Sequence, residues 1–196
     1  MITDNTKERD GDIMPADMKT IIADTYTRLI QKGDIDKITV KNVIEECHIS
    51  RQTFYYHFHD LMEVLEWSFE KAAEKLFQES LKADGLHAAL ERFVSFAYEH
   101  HREMCRLLNS RNSLQIEQML IESVVKYLGE LAAYKESQLS VSLSDMEISL
   151  YFYACGIVGT LLKYGGDPHL RQERLVKRLE ELLKNNILQK DMENDI

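Results

Sequence analysis

The stretch ITVKNVIEECHISRQTFYYHFHD, from Ile38 to Asp60, decides how the 196-residue chain is read. Thr39 can cap a short helix that runs to about Cys47 and turns Val40, Val43 and Ile44 inward. His48 and Ile49 leave room for a tight turn. Ser50 can cap a second helix, Arg51 to about Phe58, whose Phe54 and Phe58 face the core. Two helices of about two turns each, joined by a turn of three or four residues, make a helix-turn-helix. In that motif the N-terminal residues of the second helix reach base edges in the major groove.

The side chains left outside suit that task. Arg51 can pair with guanine and Gln52 with adenine through two hydrogen bonds each. Tyr55, Tyr56 and His57 are turned outward with them, and hydroxyls such as those of Tyr55 and Thr53 suit phosphate oxygens. The helix N-termini at Thr39 and Ser50 add backbone N–H donors. The plain alternative is a surface helix with aromatic packing, which leaves the two caps and the turn spacing without a purpose.

Working outward, an amphipathic helix of about 16–32 precedes the motif, with Ile22, Tyr26, Leu29 and Ile30 on one face and Gly33 at its end. Residues 1–15 are charged and aperiodic and read as a disordered tail. After the motif, Asp60 and Glu63 make a variant capping box that opens a long helix of about 61–83, striped by Leu61, Leu65, Phe69, Ala72, Leu76 and Phe77. Further helices are expected at about 86–108, 114–134, 144–164 and 168–185. The run ISLYFYACGIVGTLL in the third of these is apolar nearly all round, so burial from more than one side is expected. Asp167-Pro168 is read as the start of the last helix, and the tail after it as frayed.

Composition bounds the rest. Two prolines and eight glycines favour an all-α fold. No apolar run is long enough to span a membrane, and the polar N-terminus is not a signal peptide. Three scattered cysteines suit a reducing cytoplasm rather than a disulfide scaffold. The net charge of -9 opposes nucleic-acid binding on its own, since phosphates attract cations. The segment from Lys37 to His59 is less acidic than its surroundings: Lys37, Lys41 and Arg51 face Glu45 and Glu46, with three histidines besides. Catalytic signatures such as G-x-S-x-G, a phosphate loop or H-E-x-x-H are missing, so no enzyme and no cofactor is expected.

The motif resembles the DNA-binding domain of TetR-type bacterial regulators. The resemblance rests on Thr39-Val40, then Ser50-Arg51-Gln52-Thr53-Phe54-Tyr55-Tyr56-His57-Phe58, then Asp60 before the long helix. The Arg-Gln-Thr-Phe-Tyr version and Leu65-Glu66-Trp67 are similar to a Gram-positive subgroup that includes activators of dihydroxyacetone kinase operons. The resemblance implies an N-terminal three-helix DNA-binding domain (16–70) and a larger helical effector-binding and dimerisation domain (71–196). It implies that Lys41, Arg51, Gln52 and Tyr56 touch bases or nearby phosphates, and that Thr39, Thr53, Tyr55 and His57 touch the backbone. Two residues depart from the family pattern: Leu61 stands where a lysine is usual, and His48 where a glycine is common.

The implied partners are a palindromic double-stranded DNA operator, a second copy of the chain and a small-molecule effector. Phe93, Phe96, Met104, Met119, Val124, Tyr127, Tyr151 and Phe152 are candidates for an effector pocket, against the alternative of ordinary core. Phe152, Gly156, Gly159, Leu175, Leu179 and Leu182 are candidates for a dimer seam, with the last two helices pairing with their symmetry mates as a four-helix bundle. Two other readings stay open: a protein-interaction co-regulator with little DNA affinity, and a metal-responsive sensor. The second would use His100, His101 and Cys105, of which His101 and Cys105 lie one helical turn apart; a solvated helix face is the favoured alternative, so no metal is expected. Cys47 and Cys155 are read as inert core thiols.

Overall fold

The computed structural model describes residues 15–135, 143–167 and 169–187. Residues 1–14 of the expected tail, residues 140–142 of the loop expected at 140–144, Pro168 and the expected frayed C-terminal tail lie outside them, whereas Pro15 opens α1 and residues 143 and 144 begin α8. All regular elements among the described residues are helical: α1 (Pro15–Lys32), a 3-10 turn (Ile35–Lys37), α2 (Val40–Cys47), α3 (Arg51–His57), α4 (Leu61–Leu81), α5 (Gly85–Glu99), α6 (His101–Leu108), α7 (Ser113–Lys135), α8 (Leu143–Tyr164) and α9 (Gln172–Ile187). None is long and apolar enough to cross a membrane.

Two cores organise the chain. The first gathers Ile22, Tyr26 and Ile30 of α1, Val43 of α2, Phe54 of α3 with Phe58 just past it, and Val64, Leu65 and Phe69 of α4. It is completed from far along the sequence by Leu107 of α6 and Ile116 of α7, both fully buried. Burial of Tyr26 pushes its phenol up to about 12, with the nearby charge of Asp60 adding to the shift. The second core joins Ala73 and Leu76 of α4 to Leu90, Phe93 and Val94 of α5, Val124 and Tyr127 of α7, and the inner faces of α8 and α9. Helix α4 belongs to both. Its buried stripe runs through Val64, Leu65, Phe69, Ala73, Leu76 and Ser80, so the inward residue is Ala73 rather than the expected Ala72. Ser80 is accommodated by a 2.8 Å hydrogen bond to the Tyr127 hydroxyl.

Two expected elements differ. The single helix at 86–108 is two helices, broken at His100. The polar run Glu99-His100-His101-Arg102-Glu103 interrupts the apolar stripe there, and each half packs on different neighbours. α5 lies on α4 and α9, whereas α6 turns toward α1, α7 and α8. The glycine pair after α8 permits this turn, because a Cβ on Gly166 would stand 2.6 Å from His101 Nε2. The last helix starts at Gln172, not at residue 168. Asp167 instead closes a turn, its Oδ1 accepting from His169 N at 2.8 Å and its carbonyl from Leu170 N at 3.2 Å.

Helix α6 fastens the two cores together. The Arg106 guanidinium donates to the carbonyl of Ile30 at 2.9 Å and to that of Gln31, at the C-terminal end of α1. Those carbonyls have no partner inside their own helix and carry its negative dipole end. Gln31 Nε2 donates to Glu103 Oε1 at 2.7 Å, and Arg111 N to Asp36 Oδ1 at 3.1 Å. Leu107→Ala should therefore destabilise the chain by about 2–5 kcal/mol, as the truncation of a buried leucine. Urea unfolding should show the helices of the first core lost at lower denaturant, although Leu107 is remote from them in sequence.

Candidate nucleic-acid interface and ligand cavity

The helix-turn-helix is built by its caps. Thr39 Oγ1 accepts from Asn42 N at 3.3 Å and Asn42 Oδ1 accepts from Thr39 N at 2.9 Å, a reciprocal box that starts α2. At its end His48 adopts φ 55, with His48 N on the Glu45 carbonyl and Ile49 N on that of Ile44. This is a Schellman turn with histidine where glycine is usual. Ser50 Oγ then accepts from Thr53 N at 2.9 Å and starts α3. Asp60 Oδ1 accepts from Glu63 N at 2.9 Å, and Glu63 Oε2 reaches back to His59 N. Hydrogen bonds from the His59 backbone, first, and from its ring hold the Glu63 carboxyl below its ordinary range.

Phe54 and Phe58 pin α3 from behind, both fully buried. The opposite side carries Arg51, Gln52, Tyr55 and Tyr56, all exposed, Tyr56 at 78%. Thr53 and His57 are half-buried at the flanks. The Arg51 guanidinium lies 5.5 Å over the Tyr55 ring, and Tyr56 and His57 meet edge to face at 4.9 Å. Thr39, Lys41 and Ser50 are exposed beside them, with Lys41 Nζ 3.7 Å from Glu45. Leu61 is drawn into the first core, so its side chain is not a stand-in for a surface lysine. Cys47 sits partly buried on the same core with its thiol pushed up by burial.

A cavity of about 440 Å³ lies where the two cores meet. Its walls are Ala23, Thr27 and Ile30 of α1, Trp67, Phe69 and Leu76 of α4, and residues of α5 to α8. Of the candidate pocket residues, Phe93, Phe96, Met104, Val124 and Tyr127 line it. Met119 packs on the first core instead. Tyr151 and Phe152 do not line it: α8 commits Ala154, Ile157, Val158 and Leu161 to the interior, which leaves Tyr151 and Phe152 on its outer surface. The pattern of α8 could not reveal this, because its residues are apolar on both sides. The share taken by α1, and by Trp67 and Phe69 of α4, was absent from the sequence reading, since it depends on how α1 lies against the later helices.

The candidate seam residues divide. Phe152 (70%) and Leu182 (57%) are exposed, as are Gly156 and Gly159. Leu175 and Leu179 are buried within the subunit, where α9 packs on α5, and so are not on an outer face. Cys155 is half-buried and lies outside both cores. His101 Nε2 and Cys105 Sγ are 3.4 Å apart, while the His100 ring lies 4.4 Å from that of Phe96. Among the described residues no group of three or more metal-ligating side chains gathers.

No protein-family model matches the chain. It is 33% identical over 60 residues to the HTH-type dhaKLM operon transcriptional activator DhaS of Lactococcus lactis subsp. lactis (strain IL1403), a match that covers 31% of this chain and about a third (32%) of that protein. Among solved structures, the dihydroxyacetone kinase operon activator DhaS superposes with a TM-score of 0.63 at 20% identity, over 87% of this chain and 96% of that one. The TetR family repressor AlkX from Dietzia sp. strain DQ12-45-1b superposes with a TM-score of 0.61 at 17% identity, over 86% and 96%. The fold is thus that of TetR-type regulators, and the resemblance read from the motif holds, including its likeness to the DhaS subgroup.

The turn offers a direct check. A side chain in the left-handed region costs roughly 1–2 kcal/mol, against roughly 0.4–1 kcal/mol for the extra freedom a glycine gives the unfolded chain. His48→Gly should therefore stabilise the protein by up to about 1 kcal/mol, read as a higher urea midpoint with an unchanged slope.

Proposed function

We propose that the chain is a dimeric transcription regulator that reads a palindromic DNA operator with α3 and is controlled by a small molecule in the cavity between its cores. One observation carries this reading. A seven-residue helix, capped at Ser50 and pinned by Phe54 and Phe58, presents Arg51, Gln52, Tyr55 and Tyr56 to solvent side by side. In this reading Arg51 and Gln52 contact bases, Lys41 and Tyr56 bases or nearby phosphates, and Thr39, Ser50, Thr53, Tyr55 and His57 the backbone. Residues 16–70 form the DNA-binding domain and 71–196 the effector and dimerisation domain, interlocked through Leu107 and Ile116. The names of the DhaS proteins and of AlkX support gene regulation as the role.

A single short helix reads few base pairs, so a second copy doubles the site. The outer face of α8 is suited to that copy. Ile148, Tyr151 and Phe152 are exposed there, and Gly156 and Gly159 follow on the same helix. Cβ atoms built on these two glycines meet nothing within 4 Å, so subunit packing does not explain their smallness. Close approach of a partner helix does. The two α3 helices would then sit about one helical turn of DNA apart, ~34–36 Å. Because ligand and DNA each favour one spacing, occupancy of the cavity shifts the population between them.

Selection of bound fragments from random DNA, at low and then physiological salt, should recover a palindrome. Contacts from the α3 surface to phosphates release counterions, so binding should fall as salt rises. Arg51→Ala should lose ~1–3 kcal/mol of affinity for the selected site. No enrichment at either salt would favour the protein-interaction reading instead. Phe152→Arg should turn the dimer into a monomer in sedimentation, with the helix content unchanged.

A further inference from the structure

Among the polar residues that line the mainly apolar cavity, one carboxylate on α6 stands apart from the exposed Asp24 of α1. Glu103 lines it from α6, and its Oε2 is buried with no hydrogen-bond partner. A carboxylate oxygen shut away from water without a partner is costly, and native structures rarely leave one so. The other oxygen, Oε1, accepts from Gln31 Nε2 of α1 at 2.7 Å. Positive groups around the cavity are otherwise engaged or peripheral. Lys71 Nζ is 2.7 Å from Glu74 and Lys75 is exposed, while the His100 ring lies 4.4 Å from that of Phe96 and His101 Nε2 meets Cys105 Sγ. The walls near by are aromatic: Trp67, Phe93, Phe96 and Tyr127. Aromatic faces attract a desolvated cation, and the net charge of -9 favours its approach.

We propose that the cavity binds a small organic cation, an amine on an apolar body, with the free oxygen of Glu103 as its counter-charge. The inference rests on the regulator reading for its consequence but not for the binding itself. The consequence follows from the shared carboxylate. A cation at Oε2 draws on the group that holds Gln31, the residue next to Ile30, where Arg106 also grips the end of α1. Glu103 therefore recognises the ligand and reports it to the helix against which α2 and α3 pack.

The test uses the full chain and Trp67, its single tryptophan, which lines the cavity and serves as a fluorescence probe. Decylamine, decanol and decanoate are titrated separately, below their micelle concentrations. Decylamine should bind at least about ten times more tightly than decanol, and decanoate more weakly than both. Glu103→Gln, which keeps an acceptor for Gln31, should lose that amine preference while binding decanol as the unaltered chain does; decanol binding also shows that the variant is folded. Gln31→Ala should bind decylamine within about threefold of the unaltered chain but uncouple it from DNA affinity. The proposal is overturned if the unaltered chain binds decanol or decanoate as tightly as the amine, or if Glu103→Gln leaves amine binding unchanged. Amine binding without any selected DNA would remove the regulator reading and leave the site; a recovered operator without amine binding would do the reverse.

Discussion

The grip of Arg106 on the last carbonyls of α1 is the contact on which the rest of the architecture depends. It satisfies backbone acceptors that α1 cannot satisfy itself and places a positive charge at the negative end of the helix dipole. It also fixes the direction of α6, which departs from α5 at His100 and delivers Leu107 into the first core. Without that delivery the small N-terminal core would lose one of its fully buried aliphatic side chains. A domain of this size buries a modest share of its surface, so one such residue matters.

The same junction shapes the cavity. Where two cores meet side by side, side chains directed into each leave a gap between them. Here α1 and α4 wall it on one side, and α5 to α8 on the other. Anything that fills the gap touches both cores at once. In the proposed regulator, occupancy would therefore act on the relative placement of α1 and the later helices without a long relay of side chains. Packed interfaces switch between discrete arrangements rather than deforming gradually, which suits a two-state response.

Much of the surface of α3 was legible in the sequence because it is set by local chemistry. Caps at Thr39, Ser50 and Asp60, the alternation of Phe54 and Phe58 with polar neighbours, and the tolerance of histidine for left-handed geometry all act within a few residues. The later helices were legible as helices, since their periodicity is strong, but their faces were less so. Leu175 and Leu179 look the same in sequence whether they meet α5 of their own subunit or a second copy. Tyr151 and Phe152 look like pocket residues on a helix that is apolar on every side. The break at His100 was written in Glu99 to Glu103, yet a polar run of that length also fits one solvated face of a continuous helix.

By itself, then, the sequence determined the all-helical class, the paired short helices with their caps, and the residues that α3 turns outward. Each of these follows from side chains acting on backbone within one or two turns. Tertiary structure alone decided that Leu107 and Ile116 belong to the N-terminal core, that α1 forms a wall of the cavity, and that one oxygen of Glu103 holds Gln31 while the other is left free. These join residues more than seventy positions apart in the case of Gln31 and Glu103. No local pattern encodes such a meeting, because it is fixed by how whole helices fill space against one another.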